Sequence, residues 1–415
     1  MTAASPNKAI SAERLAQLDR DYRGALLDDT LPFWLERCPD FIDPEHGGYM
    51  TARDRDGTLL DSDKGIWQQG RSAWLFSTLY NSSLSSTEEP RRRWLDAASS
   101  GIRFLEEHGF DPKDGRMWFH VARDGSPIRK RRYAFSESFA AIAFAAYAKA
   151  TANGRLAERS VQCLDAFLCH RPEPKFTSAR TGQSMGPPMI AMVTAQTLRE
   201  CIGFDRAETV IDQAIETIES FFVKDDIRCV MENVGPAGEV LEHFDFRTLN
   251  PGHAIEGAWF ILHEAKHRDH DAQLINLGCR MLDYMWERGW DQSHGGILYF
   301  RDVHNKPVQE YWHDMKFWWP QNEGIIATLL AYQLSGDAKY ARWHTLLHDW
   351  AYQHFHDPEY GEWLGYLHRD GSASSPLKGN LWKGPFHMPR MQMYCAQIIQ
   401  ELMASTGPAK GRQEA

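Results

Sequence analysis

The chain has 415 residues, 43% hydrophobic and 25% charged, with a formal net charge of −10 at pH 7. That length buries a sizeable core, as two average domains or as one large closed architecture. The acidic balance argues against nucleic acid or an anionic membrane surface as the main partner. The first fifteen residues lack the apolar stretch of a secretory signal. The longest apolar run, Phe139 to Ala148, is too short to span a bilayer. The seven cysteines are scattered, with no C-x-x-C. Together these features point to a soluble cytoplasmic protein with reduced thiols.

Helical periodicity begins at Ala12 to Phe33, where Leu15, Leu18, Tyr22, Leu26 and Leu27 fall on one face. It returns at Trp67 to Tyr80, Arg91 to Glu107, Ser136 to Ala150, Leu156 to His170, Met189 to Cys201 and Ala207 to Phe222. His253 to His267, Ala272 to Arg288, Glu323 to Leu334, Ala338 to Phe355 and Arg390 to Ser405 complete twelve predicted helices. They fall into six pairs, one member more apolar and the other charged along one face, as an inner and an outer ring require. Between the pairs a turn motif recurs: FIDPEHGGY from Phe41, FDPKDG from Phe110, WDQSHGG from Trp290 and HDPEYG from His356. Three of the four are followed by an Asp-Gly turn, at residues 56–57, 124–125 and 370–371. Each reads as a β-hairpin insert. Internal repetition of this kind predicts an all-α (α/α)6 barrel with hairpin inserts at one mouth. An open solenoid is the alternative, though its repeats are usually shorter and lack long inserts on one side. No linker divides the chain, so residues 1–405 read as one catalytic domain and 406–415 as a flexible tail.

A proline-marked helix start recurs at Pro188, Pro251, Pro320 and Pro389, at nearly constant spacing. Asn250 can cap its helix, and Pro251 suits the first helical position, where its missing N–H is no loss. In a barrel the inner helices run parallel, so their positive ends gather at one mouth and favour an anionic intermediate. The repeat sets Arg71, Glu137, Met189, His253, Glu323 and the His387/Arg390 pair at equivalent positions. Any one of them alone is more simply a cap or a satisfied core residue. As a set they point to proton transfer at a carbon next to a carbonyl. One imidazole removes the proton, the other returns it on the opposite face, and arginines stabilise the enediolate between the two steps. Glu256 and Glu323 are expected to hold the imidazoles in the required tautomer. His344 and His348 lack the acidic residues of a zinc helix and read as an outer-face pair. No nucleotide-cradling glycine motif is present.

At these residues the sequence resembles the N-acylglucosamine 2-epimerase family. The segments that carry the resemblance are HGGYMTARDRDG, IWQQGRSAW, ENVGPAGE, NPGHAIEGAWF, GWDQSHGGILYF, MKFWWPQNE, DPEYGEWLGYLHRDG and GPFHMPR, from about residue 41 to residue 400. The resemblance implies a homodimeric barrel that interconverts N-acetylglucosamine and N-acetylmannosamine without a metal or redox cofactor, with possible ATP activation. It places the family's proton-transfer histidines on His253 and His387, its arginines on Arg71 and Arg390, and its glutamate on Glu323. Glu137, Glu256, Trp319, Trp382 and Asn250 are the expected substrate-binding residues. Trp382 departs from the small or Phe-like residue expected there, which bears on sugar identity. Two other readings stay open at this point. One is an epimerase or aldose–ketose isomerase of an unsubstituted sugar. The other is a glycoside hydrolase using Glu137 and Glu323 across the scissile bond, and a non-catalytic binding protein stands behind both.

Overall fold

In the computed structural model, which describes residues 10–171 and 182–406, the twelve expected helices form two concentric rings. The inner ring is α2 (Ile66–Asn81), α4 (Phe135–Thr151), α6 (Gly186–Ile202), α9 (Pro251–His267), α11 (Trp318–Ser335) and α13 (His387–Thr406). The outer ring is α1 (Ala12–Gly24), α3 (Glu88–His108), α5 (Gly154–Cys169), α7 (Ala207–Thr217), α10 (Ala272–Gly289) and α12 (Ala338–Phe355). A single extra turn, α8 (Phe244–Arg247), precedes α9. Each outer helix packs on an inner neighbour, and α1 packs on α13, so the two ends of the chain meet. The ring closes where the loop before α13 reaches α2, with Gln68 Nε2 donating to the Trp382 carbonyl (2.7 Å). The expected (α/α)6 barrel is the observed one. The expected tail, 406–415, lies outside the described residues beyond Thr406, where α13 ends.

Composition explains which helices go inside. From Trp318 to Ala331 every residue of α11 is buried, and α4 is buried over most of its length. An outer helix such as α5 buries one stripe, with Leu156, Cys163, Leu164 and Phe167 at helical spacing, and leaves the rest to solvent. The inner helices start earlier than the apolar pattern predicts: α11 at Trp318 rather than Glu323, and α13 at His387 rather than Arg390. Proline is tolerated in the first turn, so Pro320 and Pro389 lie within their helices instead of bounding them. The first helical run continues as widened turns at Ala25–Thr30 and Phe33–Arg37, with Pro32, which has no N–H, between them.

The four turn repeats are equivalent in space. Each closes with one antiparallel bridge, Ile42 to Tyr49, Phe110 to Met117, Trp290 to Ile297 and His356 to Trp363. Gly48 and Gly296 take φ of +69° and +74°, and a Cβ on either would lie 2.5 Å from Gln69 or Trp350. Only glycine fits there. Beyond the bridges, the inserts pair with the strands that lead into inner helices: Lys64–Gly65 with His120–Val121, and Lys316–Phe317 with Tyr366–Leu367.

Buried ion pairs lock neighbouring inserts together. Asp43 takes Lys64 (2.9 Å) and Arg123 (2.9 Å), and Asp291 takes Lys316 (3.2 Å) and Arg369 (2.8 Å). Asp357 takes Lys378 (3.1 Å) and Arg55 (2.7 Å). Each arginine belongs to the Arg-Asp-Gly turn of another insert, and Arg55 to Asp357 joins the first insert to the last. The turn aspartate of three inserts and the Arg-Asp-Gly arginine of another are therefore the two halves of one clasp, repeated around the mouth that carries the inner-helix N-termini.

Candidate active site

The mouth opens into a cavity of about 640 Å³, within the range of small-molecule sites. Polar groups enter it in two layers. His253, in the first turn of α9, and His387, the first residue of α13, form the upper one. Arg71, Glu256, Glu323 and Arg390 lie roughly a turn deeper on α2, α9, α11 and α13.

Both imidazoles line this cavity and both contact Trp319, whose ring centroid is 5.1 Å from His253 and 5.9 Å from His387. Asn250 caps α9 by accepting the His253 backbone N–H (3.2 Å), which fixes where the imidazole leaves the helix. His253 Nδ1 lies 3.0 and 3.2 Å from the two oxygens of Glu232. His387 Nδ1 lies 2.7 Å from Glu323 Oε1. Asn250 Nδ2 also lies 3.1 Å from His253 Nδ1, and Arg390 Nη2 3.3 Å from His387 Nδ1. Nδ1 of each ring is thus engaged within the protein, closest to a carboxylate, and Nε2 is left as the nitrogen for a bound molecule.

The two rings are tuned in opposite directions. Burial works to lower the pKa of His253, but the charge and hydrogen bond of Glu232, helped by Glu256 and Glu323, raise it above the ordinary histidine value. His387 is pushed well below that value, first by burial and then by the positive charges of Arg390 and Arg71. The two imidazoles facing one space are thus biased apart, His253 toward holding a proton and His387 toward staying neutral.

Arg390 bridges Glu256 (2.6 Å) and Glu323 (2.7 Å), and Glu323 also accepts from Trp259 Nε1 (2.8 Å). Burial works to lower the Arg390 pKa, but the two carboxylates hold it above its ordinary value. Donor atoms of Glu256, Glu323 and His387 lie within 4.8 Å of one another, a spacing that a metal ion could bridge. The guanidinium already engages both carboxylates, so a cation's place in this cluster is taken by Arg390.

Arg71 differs. Among the described residues it has no ion pair or hydrogen bond, and its Nε is buried without a partner. Its guanidinium instead lies over the rings of Phe139 (4.2 Å), Phe386 (4.8 Å) and Trp67 (5.4 Å). Burial pushes its pKa down to about 9, which leaves it cationic at neutral pH. An unpaired buried charge is costly, and here it faces the cavity where an anion would complete it.

Of the expected site residues, His253, His387, Arg71, Arg390, Glu256, Trp319 and Trp382 line the cavity. Glu323 and Asn250 stand directly behind the two imidazoles. Trp382, 42% exposed, stands at the rim against Trp67 and Phe119. Three expectations need correction. Glu137 does not line the cavity: its carboxylate takes Arg116 (2.5 Å) and the Met117 backbone N–H (3.0 Å). Gln69 makes the equivalent bond to Tyr49, and Gln321 to Ile297, so Glu137 occupies the anchor position for the turn motif of its own repeat. Glu256 holds Arg390 rather than an imidazole, and the partner of His253 is Glu232. His344 and His348 point inward rather than outward, both bonded to the Tyr22 hydroxyl (2.8 and 2.9 Å). Sequence reasoning also missed Trp312, Tyr299 and Tyr366 in the cavity wall. Glu232 was within reach, because it opens the ENVGPAGE run.

Comparisons with known proteins bear on the family and the fold. The family described as N-acylglucosamine 2-epimerase (GlcNAc 2-epimerase) matches residues 47–387. The chain is 33% identical to "N-acylglucosamine 2-epimerase" of Mus musculus, over 92% of each chain. It is 22% identical to "Cellobiose 2-epimerase" of Bacteroides fragilis, over 92% of this chain and 99% of that one. Among solved structures, cellobiose 2-epimerase from Bacillus thermoamylovorans superposes with a TM-score of 0.79 at 20% identity, covering 93% of this chain and 100% of that one. Fold and relatives together define an isomerase built on an (α/α)6 barrel. More particularly, the chain belongs to the N-acylglucosamine 2-epimerase family.

Proposed function

We propose that the protein is a sugar 2-epimerase that interconverts N-acetyl-D-glucosamine and N-acetyl-D-mannosamine through the open-chain aldehyde. His387, neutral at rest, takes the proton from carbon 2 on one face, and His253 as imidazolium returns one on the other. The reverse reaction exchanges the roles. Each proton transfer by a positioned imidazole is worth roughly 10²- to 10⁴-fold. Negative charge that develops on the carbonyl oxygen is met by Arg71, with Arg390 and the helix ends behind it. Trp319, in contact with both imidazoles, offers a flat apolar surface to the sugar carbons. The observation that carries this reading is the pair of imidazoles lining one cavity against a single indole, beside a guanidinium with no hydrogen-bond partner among the described residues.

Two features favour the N-acyl sugars over an unsubstituted one. The relative at 33% identity is an N-acylglucosamine epimerase, whereas the cellobiose epimerase stands at 22%. The cavity wall is also strongly apolar below the charged layer, where Met189, Val193 and Phe260 could receive an acyl methyl. A hydrolase using Glu137 and Glu323 is disfavoured, because Glu137 does not reach the cavity. In this reading residues 1–405 act as one catalytic domain. A cytoplasmic homodimer, turnover without a metal or redox group, and activation by ATP rest on the family alone.

The test is incubation of either sugar with the enzyme in heavy water, followed by NMR at carbon 2. Appearance of the other epimer carrying deuterium at carbon 2 is the expected result. A ketose product would replace this reading with an isomerase. Failure on both N-acetyl sugars with turnover of mannose or cellobiose would move the substrate to the unsubstituted class. Gel filtration and an ATP titration of the same preparation check the remaining points.

A further inference from the structure

We infer that Glu232 is a positioning residue that fixes the tautomer of His253 and makes it the standing acid of the pair. The inference rests on the two-imidazole reading and extends it to a residue outside the charged cluster. The geometry sets the two imidazoles apart. Glu323 is shared among His387, Arg390 and Trp259 within a fully buried network, so the negative charge behind His387 is already balanced by a guanidinium. Glu232 has no such competitor: its carboxylate oxygens reach His253 Nδ1 at 3.0 and 3.2 Å, and it has no ion pair with Lys or Arg among the described residues.

Its position is set by an insert strand beside the start of α6, as His120–Val121 and Tyr366–Leu367 lie beside the starts of α2 and α11. Asn233–Val234 pairs with Gln183–Ser184, and the Glu232 carbonyl accepts the Met185 N–H (3.0 Å) where α6 begins. The ribbon thus holds a carboxylate against the first turn of α9 from outside the inner ring. The other groups that act on His253 are Glu256 on its own helix and Glu323 from α11, with His387 of α13 coupled to it and Asn250 Nδ2 3.1 Å from Nδ1. Arg390 lies between Glu256 and Glu323, so those two carboxylates share one guanidinium. Among the described residues Glu232 is the carboxylate in hydrogen-bonding contact with the ring.

The pair is active when it holds one proton, so the alkaline limb of the pH–rate profile follows loss of that proton from His253. The E232Q variant keeps the shape and a hydrogen bond but removes the charge. It should lower kcat by about 10²-fold and leave KM within a few-fold. It should also move the alkaline limb down by about one pH unit or more. E232D should recover part of both effects. An activity-independent readout is the NMR titration of ¹⁵N-histidine-labelled enzyme, with the His253 resonance assigned by loss in H253Q. In E232Q that resonance should titrate at lower pH, with its tautomer balance changed. An unmoved limb together with an unmoved His253 titration would overturn the inference. If the wild-type enzyme turned over no aldose while the His253 titration still moved, the proposed reaction would fail and the role of Glu232 would stand.

Discussion

Two pairs of buried histidines can be compared within this one chain. His253 and His387 come from different repeats, each has a carboxylate behind Nδ1, and both face a cavity. His344 and His348 are four residues apart on α12, both bonded to the Tyr22 hydroxyl, with no carboxylate in hydrogen-bonding contact among the described residues and no place in the wall of the cavity at the mouth. Burial is the leading influence on all four. It pushes His344 far down and His348 to about 3, so both stay neutral. The difference shows that burial makes a histidine inert unless charged neighbours set its protonation and open space gives it something to act on.

The largest contrast is in activity. Substituting Gln for His253 or His387 should cost about 10³-fold or more in turnover, whereas Gln at His344 should leave kcat and KM essentially unchanged in folded enzyme. Steady-state assays on the three variants check this. A strong kinetic defect in H344Q would break the comparison.

Next comes Arg71, the cation without a partner. R71M should keep the aromatic packing and lower kcat by about 10²- to 10³-fold. Because an uncompensated buried charge is removed, thermal stability should hold or rise. A matched loss of stability and activity would mean that Arg71 serves the fold.

The silent pair should instead report on stability. H348A removes one partner of Tyr22 and should cost about 1–3 kcal/mol at pH 7. The His348 pKa is depressed in the folded state, so its stabilising contribution is full above about pH 6.5 and is lost as pH falls toward 3. In that window the unfolded chain binds the extra proton. Urea unfolding at several pH values should therefore show a shallower acid decline in H348A than in the wild type.

The smallest expected effect is at the rim. Trp382 contributes a ring at the mouth and no group to the charged layers, so W382A should raise KM by about three- to ten-fold, from roughly 0.5–1.5 kcal/mol of ring contact, with kcat little changed.

Much of this was legible in the sequence because it repeats. The DP…G turns, the proline-marked helix starts and the alternation of apolar with amphipathic helices fixed the barrel and the mouth, and they pointed to His253, His387, Arg71 and Arg390. What was not legible depends on direction around a ring. Glu137 and Glu323 look alike as carboxylates near helix starts. Yet Glu137 sits where Gln69 and Gln321 anchor their turns, and Glu323 lies two residues past that anchor, behind His387 and Arg390. Glu232 follows a turn, Val223 to Val230, that pairs like those of the other inserts but lacks their Asp-Pro and Gly markers, so the sequence repeat gave no signal for it. His344 and His348 read as outward because α12 is amphipathic, but α1 covers that face and brings Tyr22 to them.

The division of labour between the two imidazoles is tested most directly by hydrogen exchange at carbon 2 in the single variants H253Q and H387Q, each given both epimers in heavy water. Each variant should wash deuterium into one epimer without making the other, and the two variants should choose opposite epimers. Continued interconversion by either variant, or exchange of the same epimer by both, would contradict the account.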